Sequence, residues 1–294
     1  MSQASATAPG TRFDEHTAVR DDIIGAWRAD IAPELRGFAG AHGGYLAAIA
    51  LRALTRIVAD PQRTPRSLTV QLLAAVTPGE LDLHPRLDRA GSTISAASLR
   101  IRRDDTTLAT ALASFGHARP SLGYSGAAMP QVPAPQDCRP IAEKPVAQAS
   151  AGELVEHRPA SPPLPLTGGD RAEILVWMRL LEDRPIDALS ACMLADAGPP
   201  ALYGCLSSYI PMPSTDITIH FAELEAAAHS PWLLGVFRTR LAADGYAIED
   251  GELWTPDAHL VLHARQQRRI LSDTVQAPSA KTQAARLPAS PSGD

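Results

Sequence analysis

The sequence predicts an α+β fold made of one unit used twice. Three observations carry that prediction. RSLTVQLLAAV, ELDLHPRLDRAG, STISAASLRIRRDD and TTLATALASFG follow one another as strand-like runs. TDITIHFAEL, PWLLGVFRTRLAADG, YAIEDGELWTPD and AHLVLHARQQRRIL repeat the arrangement in the second half. Both quartets are broken at a glycine, Gly91 or Gly245, and again at Asp-containing turns, which is how hairpins are punctuated. Each quartet also follows an apolar helix. A helix leading into an antiparallel meander, twice in 294 residues, reads as a duplicated unit.

In chain order, residues 1–15 are rich in Ala, Ser, Thr and Pro and are predicted to be disordered. Residues 16–119 form the first unit. Its helix over 46–59 has no breaker, and Arg52, Thr55 and Arg56 share one polar stripe, so the rest of its surface is predicted to be buried. His42-Gly43-Gly44-Tyr45 stands just before it. The glycines let a ligand or another backbone approach the first turn, where N–H groups lack intrahelical acceptors. They fit either an anion or carbonyl platform or plain close packing.

Residues 120–170, with MPQVPAPQDCRP and RPASPPLPLTGGD, read as an extended Pro-rich linker. Residues 171–272 form the second unit, with a helix predicted over 186–196, and residues 273–294 are a second disordered tail. Trp232-Leu233-Leu234 and Leu253-Trp254 offer apolar strand surface for association with another copy or for packing within the chain.

Composition narrows the function. A net charge of −5 gives no basic footprint for nucleic acid. The N-terminus lacks the apolar core of a signal peptide, and no apolar run is long enough to span a bilayer, so a cytoplasmic protein with no membrane partner is expected. Three cysteines make neither a metal-ligand spacing nor a disulfide framework. His259 and His263 are four apart on a strand, too far for ordinary chelation of one ion. Neither a metal nor a cofactor is expected.

Several side chains stand out by position. On the second helix, Leu189, Cys192, Met193 and Asp196 share a face, which puts a carboxylate at the end of an apolar stripe. It fits a general base or a helix end meeting water. In HLVLHARQQRRI, alternation sets Gln266 with Leu262 and Ala264, while Gln267 falls on the polar side with His263 and Arg265. A buried glutamine amide needs partners, either backbone groups or a held water. In PSTDITIHF, Thr215 shares parity with Ile217, Ile219 and Phe221, and Ser214 shares it with Asp216. A bulge at the strand start would reverse that assignment.

AHGGYLAAIALRAL, LADAGPPAL, PSTDITIHF and LVLHARQQ resemble the acyl-CoA thioesterase II family and related bacterial thioesterase-like proteins. The resemblance implies a double hotdog: two helix-plus-antiparallel-sheet units fused in one chain. It also implies hydrolysis of an acyl-CoA thioester by activated water, with Asp196, Ser214 and Gln266 as the catalytic positions. Thr215 is the substitute hydroxyl. His42, Gly43, Gly44 and Thr215 are then expected to face the substrate, and Ser114 matches Gln266 in the repeat alignment. One chain should hold a complete site, with homo-oligomers permitted but not required. Two other readings compete. One is a noncatalytic acyl-CoA or lipid-binding double hotdog. The other is an enoyl-CoA hydratase or dehydratase, for which Asp82-Leu83-His84-Pro85 lacks the residue order such enzymes use.

Overall fold

The computed structural model describes residues 10–21, 26–37, 39–141 and 154–271. The first half comprises α1 (Arg12–His16), β1 (Arg20–Asp21), β2 (Trp27–Ile31), α2 (Gly43–Val58), β3 (Thr64–Leu72), β4 (Gly79–Ala90), β5 (Ile94–Arg103) and β6 (Thr106–Gly116). The second comprises β7 (Val155–Pro159), β8 (Glu173–Leu180), α3 (Ala188–Ala195), β9 (Ser214–Phe221), α4 (Leu224–Ala227), β10 (Leu233–Ala243), β11 (Tyr246–Trp254) and β12 (Leu260–Arg269). All eight strand segments predicted from the sequence form. Each half adds two strands before its helix, β1 and β2 in one and β7 and β8 in the other.

Helix α2 begins three residues earlier than the apolar run suggests, at Gly43. It stops where Ala59 turns left-handed at φ 54° and its N–H bonds back to Thr55 O. Tyr45 through Leu51 are all fully or almost fully buried. Helix α3 opens on a reciprocal capping box between Asp187 and Ser190 and ends at Asp196, just before Gly198-Pro199-Pro200. No helix among the described residues is long and apolar enough to cross a membrane.

Among the described residues, twelve strands form one antiparallel sheet in the order β1-β2-β4-β5-β6-β3-β9-β12-β11-β10-β8-β7. The order reads the same outward from the β3–β9 seam: β3, β6, β5, β4 and β2 on one side match β9, β12, β11, β10 and β8 on the other. At the seam Thr69 lies opposite Thr218, and their hydroxyls bond at 3.1 Å. Helices α2 and α3 pack against this sheet and against each other.

Two stretches read as unstructured take part in the fold. Within 120–170, β7 pairs with β8. Residues 129–138 lie over the outer face of the second half, where Met129 and Val132 join Trp177, Leu234 and Trp254 in a buried cluster and Trp177 Nε1 donates to Pro133 O at 2.9 Å. The apolar surface at Leu233-Leu234 and Leu253-Trp254 is therefore covered from within the chain. Pattern reading passes over such a segment because proline-rich sequence carries no periodicity, although each residue still has carbonyl and side-chain surface to offer.

At the N-terminus, α1 falls partly inside the predicted disordered segment. Phe13 is 2% exposed, beneath Tyr45 and the Arg184 guanidinium. Residues 1–9 and the tail from 272 onward lie outside the described residues.

Asp14 ties this arm down by accepting from Arg184, Arg52 and Thr11. Partial burial opposes its charge, but those donors outweigh burial and bring its pKa from 3.8 down to about 2. A depressed carboxylate contributes stability above its unfolded pKa and loses it as pH falls through the folded one. Asp14→Asn should therefore lower the melting temperature near pH 7 by on the order of 2 °C. The gap from wild type should close as pH falls from about 4 to 2, as read by circular dichroism melts across that range.

Candidate active site

The first turn of α2 follows His42, which makes no side-chain cap to its own helix. The missing acceptor comes from the other half of the chain. Asp196, at the end of α3, sets Oδ2 3.0 Å from the Gly44 N–H. A carboxylate is well suited to this place, because it meets unpaired donors and the positive end of the helix dipole together. His42 Nε2 lies 3.1 Å from the Asp196 carbonyl oxygen and 3.6 Å from Oδ2. One carbonyl further on, His157 Nε2 stands 2.9 Å from Ala197 O. A histidine from each side thus holds the turn after α3.

The two glycines let these helices meet. A Cβ on Gly44 would stand 2.8 Å from Met193 O, and one on Gly43 would stand 2.8 Å from Asp196 Oδ2. Gly44 is a packing position whose N–H holds the carboxylate, whereas Gly43 borders the adjoining cavity.

Ser214 and Gln266 arrive from the sheet. From Leu262 onward strand β12 alternates, so Gln266 points inward and is 2% exposed. In β9 the register slips: Gln267 lies opposite Asp216, but Arg268 lies opposite Ser214, which leaves Thr215 as an extra residue. This bulge reverses the phase and turns Ser214 inward. Ser214 Oγ donates to Gln266 Oε1 at 2.6 Å and lies 3.4 Å from Asp196 Oδ1. Gln266 Nε2 donates to Ala195 O at 3.2 Å. The opposite amide orientation would set two oxygens face to face. Thr215 donates instead to Gln267 O, so its hydroxyl faces away from Asp196 although its residue borders the cavity.

Two further polar residues belong to this cluster. Arg268 and Glu249 are 3% and 1% exposed, with Arg268 Nε 2.8 Å from Glu249 Oε1. The alternation that directs Gln266 inward directs Arg268 the same way two residues later. In YAIEDGELW, Glu249 shares the parity of Ala247 and Leu253. A charge on an otherwise apolar parity is the sequence signal for both.

A cavity of about 360 Å³ opens beside these groups. His42, Gly43, Asp196, Ser214 and Arg268 border it, with Leu46, Leu72 and Val76 supplying apolar wall. Gly44 and Gln266 lie one layer behind. Such a space offers a carboxylate, a hydroxyl and a helix start to a ligand with an apolar portion.

The matching position in the first half is chemically empty. Strand registers about the seam place Ala113 where Gln266 stands, Phe115 where Arg268 stands and Pro65 where Ser214 stands. The repeat alignment assigns Ser114 to the Gln266 position. The structure corrects this by one residue, because Ser114 faces the outer side and bonds Ser67 at 2.7 Å.

One helix embraced by an antiparallel sheet, doubled within a chain, defines the double hotdog class. Solved structures share it. A protein of unknown function with a hot dog fold from Alicyclobacillus acidocaldarius is 25% identical, covering 90% of this chain and 100% of its own at a TM-score of 0.82. The acyl-CoA thioesterase II TesB2 from Mycobacterium marinum is 20% identical, covering 88% and 97% at 0.69. The tesB protein of Mycobacterium avium subs paratuberculosis is 19% identical, covering 88% and 98% at 0.70. No curated protein matches the chain.

Family models are more specific. The acyl-CoA thioesterase N-terminal domain matches residues 32–116, and the acyl-CoA thioesterase C-terminal domain matches residues 135–270. This chain belongs to the acyl-CoA thioesterase family. The second match begins at 135, so it takes in β7 and part of the Pro-rich stretch.

The glycine contacts make a separable prediction. Gly44→Ala pushes against backbone and should cost about 1–3 kcal/mol of stability in denaturant unfolding, since helix backbones yield little. Gly43→Ala pushes mainly on a side chain. It should displace the Asp196 carboxylate with a smaller stability loss, read by comparing the same unfolding curves with turnover.

Proposed function

We propose that this protein hydrolyses acyl-CoA thioesters at the cavity bordered by Asp196, Ser214 and the first turn of α2. The observation that carries the reading is the convergence of Asp196, Ser214 and Gln266 at distances of 2.6–3.4 Å, at a cavity with an apolar wall. Family membership supports the same substrate class.

In this reading the thioester carbonyl sits against the start of α2. The N–H of Gly43, at the first helical position, has no intrahelical acceptor and is the oxyanion donor. Asp196 Oδ1 takes a proton from water as the water oxygen bonds to the carbonyl carbon. Ser214 and Gln266 fix the polar surface on which that water is held. Collapse of the tetrahedral intermediate breaks the C–S bond, and the departing thiolate takes the proton back from Asp196. The products are a free acid and CoA. A well-placed oxyanion donor is worth about 3 kcal/mol, and a positioned base about 10²–10⁴-fold.

Release of free thiol from acyl-CoAs of graded chain length tests the reading. Asp196→Asn should lower kcat by about 10²–10⁴-fold. Ser214→Ala and Gln266→Ala should each lose roughly 10–100-fold, and Thr215→Ala less than about threefold, because its hydroxyl lies on the other face. Undiminished turnover in Asp196→Asn would remove the mechanism. Tight acyl-CoA binding with no thiol release from the wild type would favour a binding protein.

A further inference from the structure

Behind Ser214 and Asp196 lies an ion pair that the hydrolytic scheme above does not use. Arg268 and Glu249 are enclosed almost completely, and Nε and Nη2 of the guanidinium both lie 2.8 Å from Glu249 Oε1. The other carboxylate oxygen of Glu249 accepts from the Ala201 N–H. On its far side Arg268 reaches the site: Nη1 is 3.2 Å from Ser214 Oγ and 3.4 Å from Met212 O, and Nη2 is 3.5 Å from Asp196 Oδ1. Burial works against the Arg268 charge, but Glu249 and Asp196 keep it protonated.

The donors and acceptors around Ser214 set what this contact does. A serine hydroxyl has one proton, and Ser214 has two acceptors in reach, Gln266 Oε1 at 2.6 Å and Asp196 Oδ1 at 3.4 Å. Arginine has only donors. A guanidinium N–H directed at Oγ takes up lone-pair density on the oxygen and turns its proton away, toward Gln266. From Arg268 onward, the chain Arg268–Ser214–Gln266–Ala195 O then runs with every donor facing the same way, while Arg268 donates to Glu249 on its other side. Asp196 Oδ1 is left with only a 3.5 Å charge contact, too long to occupy its lone pair as a hydrogen bond would.

We propose that Arg268, held by Glu249, is a positioning residue that fixes the Ser214 hydroxyl on Gln266 and leaves Asp196 Oδ1 open to the attacking water. This rests on the thioesterase reading. A purely architectural role for the pair fits less well. At the matching register position of the first half, the fold fills the same space with fully buried Phe115 and needs no charge there. Arg268 also borders the cavity.

The test combines a double-mutant cycle with a binding measurement. Arg268→Met should lower kcat by roughly 10–100-fold while KM, and the Kd of a non-hydrolysable acyl-CoA thioether, stay within about twofold. Because Arg268 acts through Ser214, Arg268→Met with Ser214→Ala should be no slower than Ser214→Ala alone. Removing one member of a buried pair can unfold a protein, so Glu249→Leu with Arg268→Met is the companion variant, in which no charge is stranded. It should match or exceed the wild-type melting temperature and show the same loss in kcat. Turnover within threefold of wild type in a folded variant, additive losses with Ser214→Ala, or loss of thioether binding would each overturn the positioning role. A wild type that releases no thiol from any acyl-CoA would overturn the thioesterase reading itself, a result readily told apart from active variants.

Discussion

Helix α2 starts with two glycines and no capping side chain of its own, so its first N–H groups need an acceptor from elsewhere, and the Asp196 carboxylate supplies one across the helix pair. A capping bond of this kind is worth about 1 kcal/mol, more when the acceptor is charged. Its structural consequence is larger than its energy. Meeting the requirement brings the end of α3 against the start of α2 at a spacing only glycine allows. Once there, the carboxylate sits beside a helix start, with its second oxygen facing the cavity and the inward side of β9. Capping and, in the proposed reaction, proton transfer draw on the same side chain.

The same constraint explains why the halves, so alike in topology, differ in chemistry. Helix α3 caps itself through Asp187 and Ser190, and so calls for nothing from the end of α2. The sheet positions around that second helix end are Ala113, Phe115 and Pro65, which pack but carry no side-chain donor or acceptor. Duplication supplied two equivalent places, and polar residues occupy one. The seam between β3 and β9 fixes the halves relative to each other, so a helix start from one and a carboxylate, hydroxyl and amide from the other meet at a single cavity.

Segments outside the repeats serve the same arrangement from the edges. The Pro-rich connection lies over Trp177 and Trp254 and adds β7, which delivers His157 to the turn that follows Asp196. The N-terminal arm places Phe13 over Tyr45, one residue after Gly44, and links Arg52 of α2 to Arg184 through Asp14. Each end of the α2–α3 pair is thus held by something other than the two helices.

The order of helices and strands, the burial of α2 and the inward direction of Gln266 were legible in the sequence, because each depends on periodicity within a few residues. Asp196 was legible as a carboxylate ending an apolar stripe, but its bond to Gly44 spans 152 residues and no local pattern encodes it. Ser214 and Thr215 could not be separated by alternation, since the bulge that turns Ser214 inward exists only in the register of β9 against β12. Arg268 and Glu249 each stand on an apolar parity, but only the pairing of two neighbouring strands brings them together. Short-range order sets which way a side chain points along its own element. Which groups it meets there is decided by how elements far apart in the chain are paired, and at this site the pairing gave each buried charge its partner.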